Sequence, residues 1–438
     1  VPASYPEILD FLFTRLPVFQ RIGDAAYKPG LDTILNFCKE IGDPQTKFPT
    51  VHIAGTNGKG SSSHSIASVF QEAGYKTGLY TSPHLVDFRE RIRINGNQIS
   101  ESEVVETIES WRQQIDRFEP SFFELTVALA FHHFAMHRVD VAIVEVGMGG
   151  RLDSTNIINP DAALITNISY DHQKFLGDTL EKIAGEKAGI MKPGVPTIIG
   201  EYHSETKPVF ETQAKIKECP LLFAQEVYMV RGETTNEQVQ VVTAYNLKTK
   251  EIRIHNLSLL GHYQLKNLPG ILTTLDVLKN KGWKISGENI KNGLSRVQQN
   301  TGLMGRWQVL HRKPLIIADT AHNEAGIKLV MEQLESLGNR NKIFIWGMVN
   351  DKDHNSIINL IPKTSTIFVT EPAIPRKQPK EELLTLFLQS GFDAQLKDSV
   401  EIALQDALKL ATEDDLIFIG GSTFTVADIP FEKFQKGN

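Results

Sequence analysis

The chain has 438 residues, 41% hydrophobic and 22% charged. That is more than one ordinary domain uses and enough to bury a core, so disordered and collagen-like proteins are excluded. Net charge is −6, from 46 basic and 52 acidic residues. Such a chain has no global attraction for nucleic acid or an anionic membrane, so an anionic ligand needs positive charge gathered locally.

Cys38 and Cys219 are the two cysteines. In a chain this long they read as reduced thiols of a cytoplasmic protein. The opening VPASYPEILDFLFTRL has neither a basic n-region nor a long apolar run, so no secretory leader is expected. No continuous apolar run of membrane-spanning length occurs, so no span is expected either.

The first 50 residues read as polar and helical. Phe48 to Ala54 reads as a short buried strand, and Gly55-Thr56-Asn57-Gly58-Lys59-Gly60-Ser61 follows it. Ser62 to Ala73 has helical apolar spacing (Ile66, Val69, Phe70, Ala73) and stops at Gly74. Strand, glycine-rich turn and helix form the context that a phosphate-binding loop requires. Gly78 to Thr81 is a short predicted strand. Glu101 to Phe118 is predicted as one helix, with Ser100 as N-cap and Glu103 at the capping-box position. Ser121 to His137 is a second, mostly apolar helix. Val139 to Val146, Ala162 to Asn167 and Val195 to Ile199 read as strands covered on both faces.

Residues 225–260 alternate apolar and polar, which predicts antiparallel strands, and a helix from Tyr263 to Lys281 follows. The pattern breaks between Gly293 and Arg306. Beyond it, strands at Pro314–Asp319, Lys342–Gly347, Thr366–Thr370 and Leu416–Gly420 alternate with amphipathic helices. The expected fold class is α/β, in two domains. Residues 1–298 form the larger, with a parallel sheet, a phosphate loop and a small antiparallel sheet. Residues 299–438 form a smaller Rossmann-like domain.

Glycines in the 55–61 loop let backbone N–H groups converge on phosphate oxygens, and the helix start adds positive potential. Lys59 would reach the β and γ phosphates, and Ser61 would sit near Mg²⁺. The usual G-x-x-x-x-G-K-[ST] pattern has its hydroxyl directly after lysine, whereas Gly60 intervenes here. Ser82 and His172 each follow a predicted strand, and Glu145 interrupts an apolar one before Gly147. Strand C-terminal ends face the crevice where α/β proteins bind ligands, so the three are candidate cation ligands. A turn serine, a salt-bridged glutamate and a structural histidine remain the plain alternatives. Lys187, in EKIAGEKAGIMK, reads by composition as a solvated helix lysine. Asp319, in DTAHN, closes the first strand of the second domain beside His322 and Asn323. Capping is the plain alternative for Asp319 and Asn323.

Taken in order, these segments resemble the folylpolyglutamate synthase and dihydrofolate synthase family of the Mur ligase superfamily. The resemblance covers nearly the whole chain. It rests on GTNGKGS at 55–61, TSPH at 81–84 with FRERI at 88–92, SFFE at 121–124 and EVGMGGRLDSTN at 145–156. It continues through DHQKFLGDT at 171–179, EKAGIMK at 186–192, GHYQ at 261–264 with Asn267, Gly305-Arg306, and DTAHN at 319–323. The Gly60 insertion is itself part of the family's loop.

The resemblance implies an ADP-forming carboxylate–amine ligase of folate biosynthesis and one-carbon metabolism. It would join L-glutamate to dihydropteroate, to reduced folates, or to both, using ATP. Gly55, Thr56, Asn57, Gly58, Lys59, Gly60 and Ser61, with Asn267, Arg306 and Asp319, are implied to bind ATP. Ser82, Glu145 and His172 are implied to ligate Mg²⁺, two ions being expected. Lys187 is implied to carry a CO₂-derived carbamate, which reverses its plain reading, and His322 to help place glutamate. Pterin contacts are implied at Gly30, Leu31, Asp32, Ser121, Phe122, Phe123, Glu124, Leu152, Asp153 and Ser154. Nucleotide contacts on both sides of residue 298 imply a domain rotation on ATP binding. Expected partners are small molecules only, with neither nucleic acid nor membrane, and the expected state is a cytoplasmic monomer. A monofunctional folylpolyglutamate synthase and another Mur-type ligase are the nearer alternatives. A non-catalytic nucleotide binder and a phosphate-loop GTPase are the more distant ones. The 201–260 segment matches no motif of the family.

Overall fold

The computed structural model describes residues 3–16, 30–235, 238–338 and 340–434. Part of the predicted N-terminal helical stretch, 17–29, lies outside them. The chain divides into two compact units. The first comprises residues 1–235, 239–258 and 264–303, and the second 236–238, 259–263 and 304–438.

The first unit holds an eight-stranded sheet: β1 (Thr50–Ala54), β2 (Thr77–Tyr80), β3 (Ile92–Ile94), β4 (Asn97–Gln98), β5 (Val141–Glu145), β6 (Ala162–Ile165), β7 (Thr197–Ile199) and β8 (Leu221–Phe223). Their order is β4-β3-β2-β5-β1-β6-β7-β8. The six strands from β2 to β8 are parallel, and β3 and β4 extend one edge antiparallel.

The inner strands are buried at every position and mostly apolar because both faces are covered. Val141 and Ile143 pack with Val51, Ile53 and Leu164 on one face, under helices Lys59–Glu72, Gln264–Asn280 and Gly287–Ser295. Ala142 and Val144 face the other way, toward helices Asp32–Glu40 and Phe122–Met136. Farther along that second face, Ala163 and Ile165 meet helices Leu180–Ala188 and Lys207–Lys217.

A separate antiparallel sheet, β9 (Tyr228–Thr235), β10 (Gln240–Asn246) and β11 (Ile252–Leu257), bears out the period-two reading of 225–260. β10 alternates between buried and half-buried positions along its length, as a one-faced strand should.

The second unit has a six-stranded sheet: β12 (Gln308–Arg312), β13 (Leu315–Ala318), β14 (Lys342–Trp346), β15 (Thr366–Val369), β16 (Asp393–Leu396) and β17 (Leu416–Gly420). The order is β12-β13-β17-β14-β15-β16, parallel except for β12. Its core is built from Ile317, Phe344, Trp346, Ile367, Phe387 and Phe418, among others.

Local signals hold where they are chemical. Ser100 with Glu103 and Ser121 with Glu124 both form capping boxes. The predicted helix 101–118 is instead two, Glu101–Ser110 and Arg112–Phe118. Trp111 lies between them, 5% exposed, with its ring edge-on to Phe37 and His132. Burial of that ring places the break where propensity gave no sign of it. No helix among the described residues is long and apolar enough to cross a membrane. Cys38 and Cys219 are buried free thiols.

Helix Gly287–Ser295 packs closely on the helix that follows the glycine loop. A Cβ on Gly293 would lie 2.6 Å from the Cα of Val69. Gly293→Ala is therefore expected to cost about 1–3 kcal/mol by overpacking. A lowered midpoint in chemical denaturation checks this, and an unchanged midpoint contradicts it.

Candidate functional site

Four neighbouring parallel strands, β2, β5, β1 and β6, end on one edge of the first sheet. In-register pairs set Tyr80 beside Val144, Glu145 beside Ile53, and Ala54 beside Ile165. The segments leaving these ends carry Ser82, Glu145, the 55–61 loop and His172. Topology thus gathers four polar segments that are distant in sequence onto one edge.

The loop is fixed by the segment after β6. Thr56 N donates to Asn167 O (2.9 Å) and Asn57 N to Asn167 Oδ1 (2.9 Å). Thr166 Oγ1 donates to Asn57 O (2.6 Å), and Ser169 N donates to Thr56 Oγ1 (3.1 Å). Glycine is required at two points. Gly55 has φ +146°, and a Cβ there would lie 1.8 Å from Thr166 Oγ1. Gly58 has φ +83°, and its Cβ would lie 2.3 Å from Asn267 Oδ1. The helix begins at Lys59, three residues before the predicted start, so Lys59, Gly60 and Ser61 form its first turn. First-turn N–H groups have no partner four residues back, which suits an anion. Ser61 is buried, and its hydroxyl accepts from Gln264 Nε2 (3.1 Å). Gln264 Oε1 in turn accepts from Asn267 Nδ2 (2.8 Å).

Lys59 Nζ donates to Gly55 O (2.9 Å) and Thr56 O (3.0 Å), and Lys187 Nζ also donates to Gly55 O (3.0 Å). Lys187 is 3% exposed, which replaces the solvated reading that composition suggested. Burial, and secondarily the charge of Lys59, push its pKa down to about 7, while Asp171 and Asp153 oppose the shift.

Glu145 is 4% exposed at the end of β5 and acts electrostatically on Tyr80 and Arg91. Ser82 and His172 are half-buried. His172 has φ +48°, a left-handed conformation uncommon for a non-glycine residue. A hydroxyl, a carboxylate and an imidazole beside an anion-binding turn suit a small divalent cation as a donor set.

The residues implied in pterin binding divide by what already engages them. Ser121 and Glu124 bond each other in their capping box, Ser121 Oγ donating to Glu124 Oε2 at 2.8 Å. Asp153 is 6% exposed and accepts from Met148 N (3.0 Å), Thr155 N (3.0 Å) and Thr155 Oγ1 (2.5 Å), so it shapes its own turn. Burial pushes its carboxyl pKa up. Ser154 is buried as well. Phe122 is 4% exposed, stacked on Phe13 (5.0 Å) with the Arg91 guanidinium 5.2 Å from its ring. Gly30, Leu31, Leu152 and Phe123 are half-buried, and Asp32 is exposed. Two residues outside the implied set lie beside them. Arg91 Nε donates to His84 Nδ1 (2.7 Å), and burial with that cation holds the His84 pKa down to about 3. Both belong to quoted motifs, and their pairing is a tertiary contact.

In the second unit, Asp319 directly follows β13 and is 2% exposed. Its Oδ2 accepts from Tyr263 Oη (2.7 Å) and Trp307 N (2.7 Å), and its Oδ1 from Ala321 N (2.8 Å). Burial is the main reason its carboxyl pKa is raised. Arg306 bonds Thr320 Oγ1 and Gly305 O. His322 Nδ1 meets Thr320 O (3.0 Å), and Asn323 caps helix Glu324–Ser336. Arg306 thus bonds the turn that carries Asp319 and His322. Tyr263 and Trp307 complete it. Tyr263 stood in the GHYQ motif, whereas Trp307 carried no separate signal.

Residues 53–274 match the Mur ligase middle domain and residues 305–423 the Mur ligase glutamate ligase domain. The chain belongs to the Mur ligase family, in the folylpolyglutamate and dihydrofolate synthase branch. It is 33% identical to the dihydrofolate synthase/folylpolyglutamate synthase of Bacillus subtilis, over 78% of this chain and 79% of that one. It is 32% identical over 97% of its length to a probable bifunctional folylpolyglutamate synthase/dihydropteroate synthase of Haloferax volcanii, and spans about half of that longer protein. A solved bifunctional folylpolyglutamate synthase/dihydrofolate synthase with Mn, AMPPNP and L-glutamate bound superposes with a TM-score of 0.80. It shares 26% identity, and 97% of each chain is covered. The bifunctional folylpolyglutamate synthase/dihydrofolate synthase of Yersinia pestis, solved with AMPPNP and Mn, superposes with a TM-score of 0.83 at 26% identity over 97% of each chain.

Gly55→Ala is expected to displace Thr166 or the loop itself and to weaken ADP binding at least about tenfold. Calorimetric titration checks it, and wild-type affinity would mean that the loop tolerates a Cβ there.

Proposed function

We propose that this protein is an ATP-dependent ligase that adds L-glutamate to dihydropteroate and to reduced folates, through an acyl phosphate. The observation that carries this reading is the convergence of Lys59 and Lys187 on the Gly55 carbonyl, at a sheet edge that also presents Ser82, Glu145 and His172. The solved relatives, one with Mn and AMPPNP bound and another with Mn, AMPPNP and L-glutamate bound, support the same substrate classes.

A carboxylate is a poor acyl donor. Transfer of the γ-phosphoryl group of ATP converts it to an acyl phosphate and releases ADP. The amine of glutamate then attacks the acyl carbon, and phosphate leaves with the amide formed. The loop N–H groups and Lys59 hold the phosphates and stabilise the transferring phosphoryl group. Ser82, Glu145 and His172 would hold a divalent cation, which when bound neutralises charge on the phosphate oxygens. Asn267, in the first unit, and Arg306 and Asp319, in the second, would contact the nucleotide. His322 would help place glutamate. Phe123, Leu152 and the 30–32 turn retain exposed surface for a pterin or aminobenzoate ring. Asp153, Ser121 and Glu124 would act by holding that surface in shape. The buried free thiols suit a reducing compartment such as the cytoplasm.

Lys187 would react with CO₂. A neutral amine adds to the carbon, a C–N bond forms, and loss of a proton leaves a carbamate anion. An ordinary lysine is almost wholly protonated at neutral pH, whereas a pKa near 7 leaves about half the amine neutral. Acid protonates the amine and removes the nucleophile, so carbamate should be favoured from pH 7 upward and fade below it. ¹³C-bicarbonate NMR should show a carbamate carbon at pH 8 that vanishes at pH 6 and in Lys187→Met. No such signal at pH 8 contradicts the assignment.

The function is tested by mass spectrometry of reactions containing ATP, Mg²⁺ and glutamate, with dihydropteroate in one tube and a reduced monoglutamyl folate in another. Product in both is expected. Product from the folate alone makes the enzyme a monofunctional folylpolyglutamate synthase, and product in neither overturns the proposal. Lys59→Ala should lower turnover roughly a thousandfold or more while keeping the fold. Near-normal turnover would remove the loop from the mechanism.

A further inference from the structure

Among the described residues, Glu103, His133 and His137 bring three potential metal-ligating atoms within 4.8 Å of one another. None of the three belongs to the proposed ligase machinery. His133 and His137 stand four residues apart in the last turn of helix Phe122–Met136 and at its C-cap. That spacing puts two imidazoles on one helix face. Their ring centroids are 4.4 Å apart. Glu103 comes from another helix, Glu101–Ser110.

The glutamate is held before any ligand arrives. Its Oε2 accepts from Ser100 Oγ (2.7 Å) and Ser100 N (3.2 Å) in the capping box. That leaves Oε1 directed at both histidines, 2.5 Å from His137 Nε2 and 3.5 Å from His133 Nδ1. In a tetrahedral site with bonds of about 2.0–2.1 Å, neighbouring ligand atoms lie roughly 3.4 Å apart. The His133 distance already matches, and the His137 distance opens by about 1 Å when a cation replaces the hydrogen bond. His133 is buried and His137 partly exposed, so the cluster is anchored on one side and open to solvent on the other. A helix C-terminus favours positive charge. The Lys76 ammonium, donating to His137 O at 2.7 Å, opposes positive charge on the cluster.

We propose that Glu103, His133 and His137 form a site for a divalent transition metal of the zinc class, linking helices Glu101–Ser110 and Phe122–Met136. Two imidazoles and one carboxylate suit Zn²⁺ or Co²⁺ far better than Mg²⁺, which takes oxygen ligands and keeps its waters. The fourth position is open to solvent. This site stands apart from the oxygen-rich donors proposed to serve ATP.

The experiment titrates the metal-free full-length protein with Co²⁺ in the presence of excess Mg²⁺, which occupies the site proposed to serve ATP. One equivalent of Co²⁺ should give the intense visible absorption of a tetrahedral N/O site, and Zn²⁺ should displace it. Zn²⁺ should also raise the thermal unfolding midpoint. His137→Ala, at the exposed ligand, should weaken Co²⁺ binding at least about tenfold and abolish the midpoint shift. His132→Ala, on the neighbouring residue, should change neither. Glu103→Gln keeps the side-chain size and should lose the tetrahedral spectrum. Absence of tetrahedral absorption in the wild type, or a spectrum that survives His137→Ala unchanged, overturns the proposal.

Discussion

Two ammonium groups meet at the Gly55 carbonyl, and the edge around them is organised by that meeting. A buried cation is costly unless it is paired or gives up its proton. Lys187 is buried, close to Lys59, and only partly compensated by Asp153 and Asp171. Its pKa falls toward neutrality in consequence. The same concentration of positive charge is what a chain of net charge −6 needs to hold a polyphosphate. Lysine reaction with CO₂ and nucleotide binding are thus two proposed uses of one electrostatic arrangement.

That arrangement depends on backbone as much as on charge. Gly55 lies so close to the Thr166 side chain that no Cβ fits between them. Thr166, Asn167 and Ser169 then tie the loop to the neighbouring strand through backbone and side-chain bonds. The second unit solves its strand-to-helix turn differently. After β13, Asp319 turns both carboxylate oxygens toward the protein, accepting from Tyr263, Trp307 and Ala321. One turn is proposed to present donors to a nucleotide. The other uses an acid to fix itself.

Much of the fold was legible because its inner strands are mostly apolar, which marks a sheet covered on both faces. The strands missed from sequence are mostly the outermost. β4, β8, β12 and β16 are the end strands of their sheets and mix exposed or half-buried positions with few buried ones. An edge strand has one neighbour and less burial, so its pattern is weak. Ser100 was readable as a cap because capping is a local bond. The break at Trp111 was not, because it depends on Phe37, more than seventy residues earlier in the chain.

The sequence by itself determined the glycine loop, the order of the motifs and the strands that carry them. Each of these is encoded within a few consecutive residues, through backbone freedom, capping or periodicity. Tertiary structure decided which of the named residues meet. It buried Lys187, which composition would leave in water, and aimed it at the loop. It buried Phe122 against Phe13 and left Phe123 partly open beside it. It also joined Glu103 to His133 and His137 across two helices. Burial and proximity depend on how distant segments pack, so spacing along one chain could not supply them.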